Sequence, residues 1–455
     1  MIRGFTVMAF KTRIFVGTEG RNLIFTFGLV SSLFLLWGFC NGMIDVMDKH
    51  FQDELHLTKA QSAWIQSAHY LGYAIMALPA GLLARAFGYK GGMIFGLLLV
   101  SAGGFWFIAA THIVSFWAFL LGVCVIAMGL TVLETVANPY TTVLGPKEYA
   151  AFRINVAQAF NGVGWILGPI VGGAFFYSAG GVEVAHGQLY IPYVAVAIIV
   201  LGMAAVFYFA RIPNVETSDE YGLDNTSLSG AKGSIWTHPH FVGSVLAQFL
   251  YVAAQAGIFS FFINYVVSEV PAISRTLTQT WVLRDGVAIR DGAFFVNEQG
   301  AARLQGVLGF GLFFLGRLIG SALLSKASAH RMLGTYSLIN VGLCAVVVMK
   351  AGWVSVAAMF LTFFFMSISF PTIFALGIYG LGAQAKKASA FIVMAILGGA
   401  IMPKLMGHLG DVYNMSIAFA MPLACFAVIA LYGYLWPALS RRGRVGFIAA
   451  SESRP

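Results

Sequence analysis

The sequence predicts an all-α integral membrane protein, with twelve transmembrane helices in two pseudo-symmetric six-helix halves. Three observations carry this. Of 455 residues, 59% are hydrophobic and only 10% charged, with a mean hydropathy of +0.82, whereas soluble domains carry about 25% charged residues. Apolar runs of about 20 residues, enough to cross roughly 30 Å of hydrocarbon as helices, recur twelve times. Short marked segments also repeat, in order, six runs apart.

The runs lie near 24–46, 61–84, 91–111, 114–142, 152–177, 188–210, 241–267, 303–325, 332–350, 353–380, 388–408 and 415–436. Residues 1–22 read as a tail, 23–210 as the first bundle and 211–240, rich in Ser, Asp, Asn and Gly, as a linker. Residues 241–437 read as the second bundle and 438–455 as a second tail. The formal charge of +9 follows topology. With the N-terminus inside, Arg85, Lys90, Lys147, Arg153, Lys386 and Arg441 fall in cytoplasmic segments, and outer loops hold far fewer basic residues, among them Lys59 and Arg275. That bias predicts both termini in the cytoplasm and a bilayer, not nucleic acid, as the partner of the basic surface. Cys40, Cys124, Cys344 and Cys425 lie inside apolar runs at unrelated spacings, as small buried hydrophobes do. Met1–Arg21 is basic without a long apolar core, so no removable signal peptide is expected.

The repeat pairs FLLWGFCNG (34–42) with FLYVAAQAG (249–257), ANPYTTVLG (137–145) with SFPTIFALG (369–377), and GPIVGG (168–173) with MPKLMG (402–407). Each match joins a span to the one six places later. Transporters of the major facilitator type are built from two such halves, with cargo near the midplane between them. Aligned in this way, Asp45 corresponds to Ser260, Glu134 to Met366 and Gln158 to Ile392. Titrating chemistry is therefore expected in the first half. GLLARAFGYKGG (81–92) resembles the superfamily's signature loop, with Ala84 where an acid is usual. Gly164, Gly168 and Gly172, four apart, predict a close helix approach within the half.

Glu134 is the acid that hydrocarbon tolerates least, flanked by apolar sequence on both sides. A carboxylate there costs a few kcal/mol on insertion scales, so it predicts a functional group facing a cavity. Low dielectric disfavours its charged form, which suits a proton carrier. Asn138 shares its helix face, and Asn155, Gln158 and Asn161 line one face of the next run. These amides are either sugar ligands or interhelical glue. Asp45 sits toward the end of the first run, with Asn41 one turn earlier. Trp37, Tyr73 and Tyr251 offer aromatic faces and Gln255 an amide in the second half, although packing alone accounts for any of them. His69 is a relay group or a packing histidine, and Lys404 a counter-charge or a snorkelling lysine.

LETVANPYTTVLGP and FRINVAQAFN, with LLWGFCNGMID (35–45), QSAHYLGY (66–73), YVAAQAGIFS (251–260) and FIVMAILGGAIMP (391–403), resemble the bacterial L-fucose:proton symporter family of the major facilitator superfamily. The resemblance runs over roughly 26–436. It implies uptake of a hexose coupled to proton entry, with the proton as coupling ion and no other cofactor. It implies two cavity acids at Asp45 and Glu134, and amides by the sugar at Gln158 and Asn161. It also implies a bacterial inner-membrane protein that works as a monomer. Three departures stand out: Gly42 and Ile44 where amides are common, His69 where an aromatic is expected, and an extra polar stretch at 276–299. The competing reading keeps the fold and changes the cargo, as in a proton-coupled drug exporter. No nucleotide loop, HExxH pair or other catalytic constellation is present, so an enzyme is not predicted.

Overall fold

The computed structural model describes residues 15, 22–113, 115–145, 150–177, 190–213, 234–324, 327–381 and 385–452. Most of the 1–22 tail, residues 214–233 of the linker and the side chains of Arg85, Asn155, Lys147 and Lys386 lie outside what is described. Among the described residues, twelve helices are long and apolar enough to span a membrane. They are α1 Ile24–Glu54, α2 Lys59–Ala84, α3 Ala86–Ile113, α4 Phe116–Asn138, α5 Val156–Phe176, α6 Ile191–Phe209, α7 Pro239–Glu269, α8 Glu298–Leu324, α9 Ala329–Val348, α10 Trp353–Ile378, α11 Phe391–Val412 and α12 Met415–Arg441.

The chain forms two compact units. One holds Met1–Ile44 and Ala68–Ser218; the other holds Asp45–Ser67 and Asp219–Pro455. The C-terminal end of α1, the α1–α2 connection and the start of α2 thus pack with α7–α12.

In the first unit α1 crosses α5 at glycines on both sides. A Cβ on Gly38 would lie 2.1 Å from the Asn161 carbonyl oxygen, and one on Gly164 would lie 2.3 Å from that of Leu35. Gly42 and Gly168 continue the seam against Trp165 and Phe39. Glycine lets two backbones touch where any side chain would hold them apart. The second unit repeats the device on the helices that the repeat pairs with α1 and α5: a Cβ on Gly398 of α11 would lie 2.0 Å from the Phe249 carbonyl of α7.

Basic side chains close helix ends in the first unit. Lys90 Nζ donates to the Tyr208 and Ala210 carbonyls at 2.8 Å, at the end of α6. Arg153 is fully buried, and its Nε donates to the Thr141 carbonyl at 3.0 Å. Burial lowers its pKa, but the charge meets the carbonyl end of the helix that continues α4 to Val143, where a cation is favoured. Gly88, in the first turn of α3, takes φ 67° and kinks the chain after α2, a conformation that a residue without Cβ adopts freely.

In the second unit the 276–299 stretch is folded. Strands β1 (Val287–Arg290) and β2 (Ala293–Val296) pair antiparallel about Asp291 and Gly292, both at positive φ, as a two-residue hairpin turn requires. Helix α8 then begins with one α-helical stretch, passes through a π-helical turn at Gln305–Phe310 and continues as α-helix from Gly311.

Candidate functional site

The first unit gathers most of the residues singled out from the sequence. Glu134, on α4, is half-buried and forms no ion pair among the described residues. Tyr73, on α2, lies close enough to interact with its charge. The Tyr73 hydroxyl accepts from Trp37 Nε1 at 2.7 Å and neighbours the Asn41 amide, both on α1. Asn41 is 6% exposed and its Oδ1 has no hydrogen bond. The His69 ring packs 5.0 Å from that of Tyr73 and 5.4 Å from that of Tyr70. One turn along α4 from Glu134, Asn138 Oδ1 accepts from Gln158 Nε2 at 3.1 Å. Trp37, Asn41, Tyr73 and Glu134 thus form one group, and Asn138 with Gln158 a second, adjoining it along α4. A carboxyl, amides and aromatic faces are what a ring of hydroxyls with an apolar face needs: partners for the O–H groups and a flat surface for the carbons.

Asn161 stands apart. It is 3% exposed, and its Nδ2 donates to the Phe34 carbonyl at 3.2 Å, across the glycine seam. In this arrangement its amide ties α5 to α1.

Asp45 belongs to the second unit. It is 2% exposed; its Oδ1 accepts from Gln66 Nε2 at 2.9 Å and its Oδ2 from Gln305 Nε2 at 3.1 Å. Asp48, one turn on and equally buried, makes no well-aligned hydrogen bond at either oxygen; Ser62 and Lys49 are its polar neighbours. Gln52 Nε2 donates to Ser62 Oγ at 3.3 Å, and its Oε1 accepts from Asn264 Nδ2 on α7. Sequence reasoning missed Asp48, Gln52, Gln66 and Gln305. For the first two a signal existed: Asn41, Asp45, Asp48 and Gln52, spaced four, three and four, mark one face of a helix.

Elsewhere in this unit, Tyr251 is fully buried with its hydroxyl unbonded, close enough to Arg317 to interact. Gln255, one turn later, is half-buried. Arg317 Nε donates to the Ser367 carbonyl at 3.5 Å, and its guanidinium stands 5.0 Å over the Phe313 ring. Lys404 Nζ stands 3.7 Å over the Trp64 ring, a cation–π contact that bears on neither reading made from the sequence alone. Asp411, on α11, receives the backbone N–H groups of Lys59 and Ala60 at 2.9 Å each, capping the start of α2.

Comparison with known proteins agrees with this architecture. The family model described as Major Facilitator Superfamily matches residues 26–403. The L-fucose-proton symporter of Escherichia coli (strain K12) is 34% identical, covering 91% of this chain and 93% of its own length. The glucose/galactose transporter of Brucella abortus is 31% identical over 91% of this chain and 95% of its own. The crystal structure of the transporter FucP in the outward conformation superposes with a TM-score of 0.62 at 34% identity, covering 91% of this chain and 99% of that one. The chain belongs to the Major Facilitator Superfamily, in the family of the L-fucose-proton symporter and the glucose/galactose transporters.

Proposed function

We propose that this protein imports a monosaccharide, an L-fucose-like hexose, together with a proton, by alternating access across a bacterial inner membrane. The observation that carries the reading is Glu134: a carboxyl inside a spanning helix with no cationic partner among the described residues, beside the Trp37–Tyr73 pair and the Asn41 amide. Relatives named as sugar transporters, one of them a proton symporter, support the cargo and the coupling ion.

In this cycle the chain alternates between outward-open and inward-open states, with both tails cytoplasmic and one chain sufficient. From outside, protonation of Glu134 or Asp45 removes a bare charge from low dielectric and lets sugar bind. Trp37 and Tyr73 take the ring's apolar face, while Asn41, Asn138 and Gln158 take hydroxyls. Asn161 holds α5 to α1 through the Phe34 carbonyl. Opening inward releases proton and sugar. Coupling requires that each ligand favour the same conformational change.

The test is uptake of labelled L-fucose, galactose and glucose into proteoliposomes under an imposed inward proton gradient. Glu134→Gln abolishes gradient-driven accumulation and spares sugar counterflow. Unimpaired accumulation in that variant removes Glu134 from the mechanism, and preference for lipophilic cations over every sugar rejects the cargo.

A further inference from the structure

We infer that Gln305 is a positioning residue for proton coupling: its side-chain amide holds the Asp45 carboxylate to α7 and α8, so that the second half of the chain responds to the proton through an uncharged group. The inference rests on the proton-coupled reading above.

Gln305 is fully buried, and its Nε2 has two partners: Asp45 Oδ2 at 3.1 Å and the Phe259 carbonyl of α7 at 2.8 Å. An amide nitrogen carries two hydrogens, so both are committed. The Oε1 of the same side chain is buried without a hydrogen bond. A buried unpaired acceptor is costly, and a leucine would fill a similar space without that cost. The nitrogen's two bonds are the return for keeping an amide there. The residue also opens the π-helical turn of α8. Such turns insert an extra residue into a helix and are frequent at functional positions.

The groups facing Asp45 leave this amide a distinct part. On its own helix Asp48 is the charge that acts on it, and Lys49 is paired with Asp53. Helix α2 presents Gln66 and α8 presents Gln305, whose other N–H goes to the Phe259 carbonyl of α7. No cation pairs with Asp45 among the described residues. Ionised, the carboxylate accepts at both oxygens through charge-assisted bonds. Protonated, one oxygen becomes an O–H donor, and the N–H group facing it loses a strong acceptor. A proton on Oδ2, the oxygen that Gln305 faces, is thereby felt at α8 as a weakened tie. The aligned second-half position, Ser260, has no titratable group, and its buried hydroxyl has no hydrogen bond, so Gln305 supplies what the repeat does not.

The experiment uses the full chain in proteoliposomes with L-fucose and galactose as probes. Two rates are compared: accumulation driven by a proton gradient, and counterflow at equal pH, which needs no net proton movement. Gln305→Leu is expected to keep counterflow within about threefold of wild type while accumulation falls at least about tenfold. Gln305→Glu is expected to shift the pH profile of accumulation, because a third carboxyl then faces Asp45 and Asp48. Wild-type accumulation in Gln305→Leu overturns the inference, as does an equal loss of both rates in a folded, monodisperse protein. If Gln305→Leu fails to fold, an unchanged pH profile in Gln305→Glu overturns it. A wild type that accumulates sugar indifferently to the gradient overturns the proton-coupled reading itself, a separate outcome.

Discussion

Replacing Gly38 with alanine adds one methyl group, and the consequence can be worked out from the α1–α5 seam. The new Cβ would lie 2.1 Å from the Asn161 carbonyl oxygen and 3.1 Å from its side-chain nitrogen. Ordinary contact begins near 3.4 Å, so the helices must separate by about 1.3 Å. The obstacle is backbone, which cannot rotate aside as a side chain can. Overpacking of this kind costs about 1–3 kcal/mol, and an immovable neighbour puts Gly38→Ala near 3 kcal/mol. The shift also pulls at the 3.2 Å bond from Asn161 to the Phe34 carbonyl and at Trp37, the residue immediately before Gly38. Gly28 on the same helix is the control: nothing lies within 4 Å of a Cβ there. Alanine at that position is neutral or gains up to about 1 kcal/mol from helix propensity. The assay is thermal unfolding of purified protein in one detergent, with sugar binding measured alongside. Gly38→Ala is expected to melt several degrees below wild type and to bind sugar more weakly, and Gly28→Ala to do neither. A Gly38→Ala protein that melts with wild type would refute the argument from backbone contact.

Asp411→Ala removes a carboxylate that caps two backbone N–H groups and stands 3.6 Å from Lys59 Nζ. The expected loss is about 1–2 kcal/mol, read as faster amide exchange at Lys59–Ser62, with Asp411→Asn intermediate. Trp37→Phe keeps a ring but deletes the donor to the Tyr73 hydroxyl. Sugar affinity is expected to fall about 5–10-fold, the worth of one neutral hydrogen bond, by equilibrium binding, with the melting temperature little changed.

Twelve apolar runs were legible because hydropathy averages over a whole helix. Their ends were less so. Helix α1 runs to Glu54, well past the apolar run that stops near residue 46. Asp45 closes that run and the extension carries Asp48 and Gln52, which hydropathy counts as solvated although all three are buried. Averages do not record which face a polar group occupies, whereas spacing does, and the four-three-four pattern from Asn41 to Gln52 was there to be read. Gln305 had no local sign, since its significance lies in an acid 260 positions away. The Asp291-Gly292 pair in the 276–299 stretch is a hairpin-turn signal, and a two-stranded hairpin forms about it. Glu134 was legible as a candidate because an acid amid apolar sequence is costly. The role of Asn161 was not, since glue and ligand ask for the same amide.

The glycine crossings have a consequence for anyone mapping mutational tolerance onto this protein. Gly38, Gly164 and Gly398 each lie where a single added carbon would strike main chain of a neighbouring helix. A saturation screen scored on growth would rank them as intolerant as any sugar-touching side chain. Expression level and transport must therefore be scored separately, or the scaffold's tightest joints will be mistaken for the cargo site.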